Sequence, residues 1–308
     1  MSDSTASLRR KIDSAADLQS VVRTMKALAA SSIGQYERAV RALADYYRTV
    51  ELGLGACFRA GETIALPAAR RRPAAGGVIS AVVFGSDQGL VGRFNEVVAD
   101  HALETLASLP GKPRVWAVGE RVHARLADAG VLPVGRFTVP TSVKAITPLV
   151  GQILVDSQRR GRHDADSELH LFYNSPTAGA TYAPVGQRLL PLDGDWRRAL
   201  AELPWPTKSL PEVMGLGTST LAALIGEYLF VSLFRACAES LASENASRLA
   251  AMERADKNID DLLETLRGSF HRLRQSGIDE ELFDVISGFD ALSEAAEVAS
   301  SRPDGSRH

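Results

Sequence analysis

The stretch Val82-Val-Phe-Gly-Ser-Asp-Gln-Gly-Leu-Val-Gly-Arg-Phe-Asn95 has the residue types that could hold a phosphate: an apolar run, then Gly85, Gly89 and Gly92, then the start of a helical pattern. A dinucleotide loop needs G-x-G-x-x-G, so that the backbone can approach a pyrophosphate at a helix N-terminus. Here Asp87 stands where the second glycine belongs, and it would bring a negative charge against the phosphates. A P-loop would need G-K-[ST], which is absent from the sequence. Glu120, after a second strand-like run, is placed like the ribose-binding acid of a dinucleotide domain, but acids at strand ends are common. The simpler reading is a tight strand-to-helix turn built on Gly85, Asp87, Gly89, Gly92 and Asn95, with the glycines serving the backbone.

Other chemistry is sparse. The six histidines, His101, His123, His163, His170, His271 and His308, show no H-E-x-x-H or other ligand spacing, and surface positions are expected for most. Cys57 and Cys237 are far apart and lie in no C-x-x-C or Cys/His cluster, which points to a reducing compartment and no structural metal. Ser86 lacks the G-x-S-x-G elbow of a hydrolase nucleophile. No catalytic residue, cofactor or metal is expected.

Bulk properties narrow the classes further. A formal net charge of -2 over 308 residues argues against a nucleic-acid binder. The N-terminal sequence has no apolar signal core, and Asp3, Asp13 and Asp17 argue against a transit peptide. Leu221 to Leu233, interrupted by Gly226 and Glu227, reads as too short for a membrane span, so no direct membrane insertion is expected.

These residues need elements to position them. From Ser7 to Ala60 there is no proline, and Leu18, Val22, Met25, Ala29, Ser32, Tyr36, Val40, Leu43, Tyr47, Val50 and Leu54 recur in steps of three and four. That is the seam of one long helix, about 75 Å at 1.5 Å per residue. A Pro-, Gly- and Arg-rich stretch over 65–77 reads as a linker. Strand and helix signals then alternate. Strands are read at 78–84, 114–118, 134–139 and 168–173 and helices at 94–109, 120–129 and 145–160, with a looser segment starting near 187. Alternation of this kind predicts a parallel sheet with helices on its faces. After a proline-rich stretch over 203–211, a second helix runs from about Thr218 to Leu292, with a seam read as Leu249, Met252, Asp256, Ile259, Leu262, Leu266, Phe270 and Leu273. The predicted fold is α/β: a long antiparallel coiled coil of the N- and C-terminal helices with an inserted Rossmann-like parallel-sheet domain. Its segments are 1–64, first shaft helix; 65–77, linker; 78–211, α/β domain; 212–299, second shaft helix; and 300–308, polar tail.

Three motifs carry a resemblance. Ser243-Glu-Asn-Ala-Ser-Arg-Leu-Ala-Ala-Met-Glu-Arg-Ala-Asp-Lys-Asn258 with Arg274-Gln-Ser-Gly-Ile-Asp-Glu-Glu-Leu-Phe-Asp-Val-Ile-Ser-Gly288 resembles the C-terminal signature of the gamma subunit of F-type ATP synthases. Arg10-Lys-Ile-Asp-Ser14 through Met25-Lys-Ala-Leu-Ala-Ala-Ser31 looks like that family's first helix, and 85–95 like its S-D-x-G-L-x-G-x-x-N turn.

The resemblance implies a noncatalytic rotor shaft inside a ring of alpha and beta subunits. It also implies contacts to an epsilon subunit and a membrane c-ring, on the cytoplasmic face of a bacterial plasma membrane. It places beta-subunit contacts at Arg274, Gln275 and Asp279 and shaft-seam positions at Met25, Lys26 and Met252. The small and apolar residues between Phe289 and Ala299, which run past the family's usual finish near Leu292, read as a helix tip turning within an apolar collar. Asp279 departs from the family's usual threonine and Arg93 from a common glycine, while 205–218 does not match the usual acidic foot. These departures resemble the divergent alternate bacterial form. Two other classes remain open on residues alone: a Rossmann-type nucleotide-binding protein and a free-standing coiled-coil adaptor.

Overall fold

A computed structural model describes residues 4–60, 77–161, 168–178, 180–209, 211–213 and 217–300. The expected linker therefore lies outside the described residues apart from Gly77, as does the tail beyond Ser300. Helix α1 covers Thr5–Arg59 and α6 covers Gly217–Ser300, eight residues past the predicted end. Between them come β1 (Gly77–Phe84), α2 (Phe94–Ser108), β2 (Gly111–Val118), α3 (Glu120–Asp128), β3 (Gly135–Phe137), α4 (Val143–Gly161), β4 (Glu168–Thr177), β5 (Ala180–Leu190) and α5 (Gly194–Glu202). The chain divides into two compact units, 25–252 and 1–24 with 253–308.

In the larger unit the sheet order is β3-β2-β1-β4-β5. The first four strands are parallel, and β5 returns antiparallel along β4, where the sequence suggested only a looser segment. Alternate side chains serve two cores, as a pleated sheet covered on both faces requires. Ile79, Ala81, Val83, Val115, Ala117 and Phe172 meet Val98, Ala102 and Leu106 of α2 and Val122 and Leu126 of α3. Val82, Phe84, Trp116, Leu171 and Tyr173 belong to the other core, with Ile146 and Ile153 of α4, Val50 and Leu54 of α1, and Leu221, Leu233 and Leu241 of α6. Within this unit α1 and α6 run antiparallel: the Tyr46 hydroxyl donates to Glu227 Oε2 at 2.7 Å, and the Tyr47 and Tyr228 rings lie 6.0 Å apart.

Helix α5 was not foreseen. The Asp193 side chain caps it, accepting from the Trp196 N–H at 2.7 Å. Arg59 donates to the carbonyls of Ala201 and Leu203 at the other end. Any side chain at Gly55 would place Cβ 2.3 Å from the Leu200 carbonyl oxygen, so the close approach of α1 to α5 at this point requires glycine.

An 18-residue window of α6 is apolar enough to cross a membrane by composition, against the sequence expectation, but 61% of it is buried inside the protein. The apolar character belongs to the core that α6 shares with the sheet.

In the smaller unit the helix pair is again antiparallel. Gln19 Nε2 donates to Asp256 Oδ1 at 3.3 Å and Asp260 Oδ1 at 2.5 Å, and Arg23 Nε donates to Asp256 Oδ1 at 3.1 Å. Leu8, Ala15, Gln19 and Val22 are buried on α1, and Ile259 and Leu263 on α6. The predicted seam is off by one residue at two places: Leu18 is 55% exposed and Leu262 48%, while Gln19 and Leu263 take the inside. Gln19 can sit there because Asp256 and Asp260 give its amide acceptors.

Candidate functional site

The turn after β1 is closed by its own hydrogen bonds. Gly85 N–H donates to the Val118 carbonyl at 2.8 Å, which draws the end of β1 against that of β2. The Asn95 side chain then bridges the turn: its Oδ1 accepts from Ser86 N–H at 2.9 Å and its Nδ2 donates to Ser86 Oγ at 2.8 Å, both buried. The Ser86 hydroxyl in turn donates to the Gln88 carbonyl at 2.9 Å.

Asp87 supplies an anion from within the chain. Its Oδ1 accepts the N–H of Glu120, the first residue of α3, at 2.9 Å, and its Oδ2 accepts the N–H of Val139 at 2.8 Å. A helix N-terminus favours negative charge, and here a side-chain carboxylate already occupies that seat. Glu120, the residue placed like a ribose-binding acid, is paired with Arg136.

The glycines have separate reasons. A Cβ on Gly85 would lie 2.4 Å from Val122 Cβ and 2.7 Å from Asn95 Oδ1, so no side chain fits. Gly92 has φ +57°, which favours glycine. Gly89 has room, its nearest neighbour being the Arg121 guanidinium at 3.4 Å. Gly119, which sequence reasoning missed, has φ +117° and would put a Cβ 2.7 Å from the Ser86 carbonyl oxygen. Among the described residues Leu90 is the non-glycine residue at positive φ, 63°, and it is 61% exposed. The turn is also fastened to α6, because Ser247 Oγ donates to the Val91 carbonyl at 2.5 Å.

The histidines divide. His170 is buried, with Nε2 2.8 Å from Glu168 Oε2, while His101 and His123 are half-buried and His271 is exposed. No group of three or more His, Cys, Asp or Glu side chains able to hold a metal occurs among the described residues. Cys57 and Cys237 are both buried thiols.

The second candidate region is the far end of α6. The pairing of Gln19 with Asp260 sets the register of the helix pair, and counting outward from it brings the first described residues of α1 opposite the turn before Arg274. Beyond that point α6 has no partner among the described residues. Arg274, Gln275 and Asp279 are exposed, Gln275 and Asp279 sharing a face at i, i+4. Beside them Ile278, Leu282, Val285 and Phe289 repeat in steps of four, three and four, at 53%, 57%, 69% and 69% exposure, and Phe283 is 70% exposed. Apart from Phe289, sequence reasoning missed this stripe, although its spacing continues past the point where α1 runs out. Met25 and Lys26 are half-buried and Met252 is buried, all three within the larger unit. The structure thus gathers the turn residues into one hydrogen-bonded unit and leaves the helix-end residues as a separate surface.

Comparison with known proteins shows the family. The family model described as ATP synthase matches residues 4–292. A protein of Desulforamulus reducens named ATP synthase gamma chain is 27% identical over 94% of this chain and 99% of its own length. A gamma chain of Mycolicibacterium paratuberculosis is 28% identical over 94% and 97%. In fold, a chain from the Euglena gracilis mitochondrial ATP synthase, in a structure of its OSCP, F1 and c-ring, superposes with a TM-score of 0.63 at 15% identity, covering 99% of this chain and 98% of that one. The chain belongs to the ATP synthase family, and the curated relatives it matches within that family are gamma chains.

Proposed function

We propose that this chain is the noncatalytic central-stalk subunit of a rotary ATP synthase, turning within a ring of alpha and beta subunits and coupling ion flow through a membrane c-ring to ATP synthesis or hydrolysis. The observation that carries the reading is the end of α6. A helix that outruns its partner and shows Ile278, Leu282, Val285 and Phe289 to solvent has apolar surface to bury against other subunits. Arg274, Gln275 and Asp279 beside that stripe are the polar contacts to beta subunits, where an arginine can make charge-assisted hydrogen bonds.

The closed turn supports the noncatalytic assignment. A nucleotide phosphate would have to displace the Asp87 carboxylate from the α3 N-terminus, so nucleotide chemistry belongs to the neighbouring subunits. In this reading 1–64 and 212–299 form the shaft, and 78–211 carries the contacts to an epsilon subunit and the c-ring. The chain sits peripherally on the cytoplasmic face of a bacterial plasma membrane, held there by its partners. Affinity purification of the tagged full chain from native membranes tests the assignment. Alpha and beta subunits should travel with it in fixed stoichiometry, and recovery without them would contradict the proposal.

A further inference from the structure

Beside the closed turn, between α1, the β3–α4 connection and α6, lies a cleft of about 190 Å³ that the coupling role does not use. Its charged lining consists of Asp87, Glu244 and Arg248, and Tyr36, Val139 and Leu241 give it an apolar wall. Both Asp87 oxygens are already taken by backbone N–H groups. Glu244 differs. Its side chain is 7% exposed, its Oε1 accepts from Arg248 Nη2 at 2.7 Å, and its Oε2 is buried with no hydrogen-bond partner in the protein. Arg248 Nε is likewise buried and unpartnered.

Two carboxylates therefore face one guanidinium, leaving negative charge under-compensated where water is scarce. Burial pushes the Glu244 carboxyl above its ordinary range, Arg248 opposes the rise and Asp87 adds to it. A ligand cation would relieve that imbalance, whereas an anion reaching for Arg248 Nε would meet both carboxylates. A bare metal ion is a poor match, because the described residues offer no group of three His, Cys, Asp or Glu ligands. The aromatic and aliphatic wall instead suits a short hydrocarbon chain attached to the charge. A cavity of roughly 150 Å³ takes a benzene molecule, so a cleft of about 190 Å³ has room for a chain of a few carbons.

We infer that this cleft binds a small primary ammonium ion, with its N–H groups on the Glu244 carboxylate and its short chain against Tyr36, Val139 and Leu241.

The full chain is titrated calorimetrically at constant ionic strength with n-butylammonium, butan-1-ol and butyrate. Saturable binding is expected for the ammonium alone, weakened about tenfold or more in Glu244→Gln, equivalent to about 1.4 kcal/mol. Thr141→Trp, which fills the mouth of the cleft from an exposed loop position, should abolish it. If circular dichroism shows that Glu244→Gln does not fold, Thr141→Trp decides alone. Four results would each overturn the inference: no saturable binding of butylammonium, binding unchanged in either folded variant, equal binding of butan-1-ol, or tighter binding of butyrate.

Discussion

Asp87 caps helix α3 from 33 residues away, its Oδ1 accepting the Glu120 N–H at 2.9 Å while its Oδ2 holds Val139. One carboxylate thus ties the loop after β1 to those after β2 and β3. Asp87→Ala should destabilise the larger unit by about 1–3 kcal/mol, the cost of leaving a donor without its acceptor, with the low end favoured because Glu120 N–H can reach water. Asp87→Asn keeps one acceptor and should lose less. Urea midpoints at fixed slope measure both, and equal losses would show that only one of the two bonds matters.

Much of this architecture was legible in the sequence, and the failures have physical causes. The long helices announced themselves by the absence of proline and by three-and-four spacing over many turns. Strand β5 did not, because Pro184 and Gly186 interrupt it. An edge strand tolerates proline, since one side of its ladder is free. Helix α5 is only nine residues long, and its signal, the Asp193 cap, lies close to a proline-rich stretch. The seam slipped at Leu18/Gln19 and at Leu262/Leu263 for different reasons. Two adjacent leucines give no sequence contrast at 262 and 263, whereas Gln19 is inside only because Asp256 and Asp260, more than two hundred residues away, accept from it. Likewise, glycine spacing marked the turn, but the bonds from Glu120 and Val139 that close it come from distant residues.

That polar layer in the helix pair yields a second expectation. A buried amide bonded across two helices fixes register, at some cost in stability relative to an apolar pair. A double-mutant cycle of Gln19→Ala and Asp256→Ala should give a coupling energy of about 0.5–1.5 kcal/mol. A coupling of zero would mean that the Gln19–Asp256 contact adds nothing to pairing, leaving Asp260 as the partner of Gln19.

Glu244 makes stability depend on pH. Its folded-state pKa is raised by burial, so its contribution is full below the ordinary carboxylate pKa of about 4.3 and is lost as pH rises through the higher folded value. The stability of the natural chain relative to Glu244→Gln should therefore fall as pH rises through that window and stay level above it. Thermal unfolding of both chains across the acidic to neutral range checks this. A difference that grows with pH would reverse the assignment.

The exposed end of α6 can be altered without touching a core. Arg274→Ala with Gln275→Ala should leave the fold within about 0.5 kcal/mol, because both side chains face solvent in the chain alone. ATP-driven ion pumping in the assembled complex should fall. Unchanged pumping by a complex containing the double variant would remove these residues from the beta contact.

The central claim, rotation within an alpha/beta ring, is tested most directly by watching it. Lys112→Cys offers an exposed thiol on β2 for a bead, and both natural cysteines are buried. In the complex immobilised through its beta subunits, ATP should drive the bead in one direction, and deletion of 278–308, which removes the apolar stripe, should weaken or abolish that rotation. Sustained ATP hydrolysis by the intact complex with a stationary bead would contradict the account.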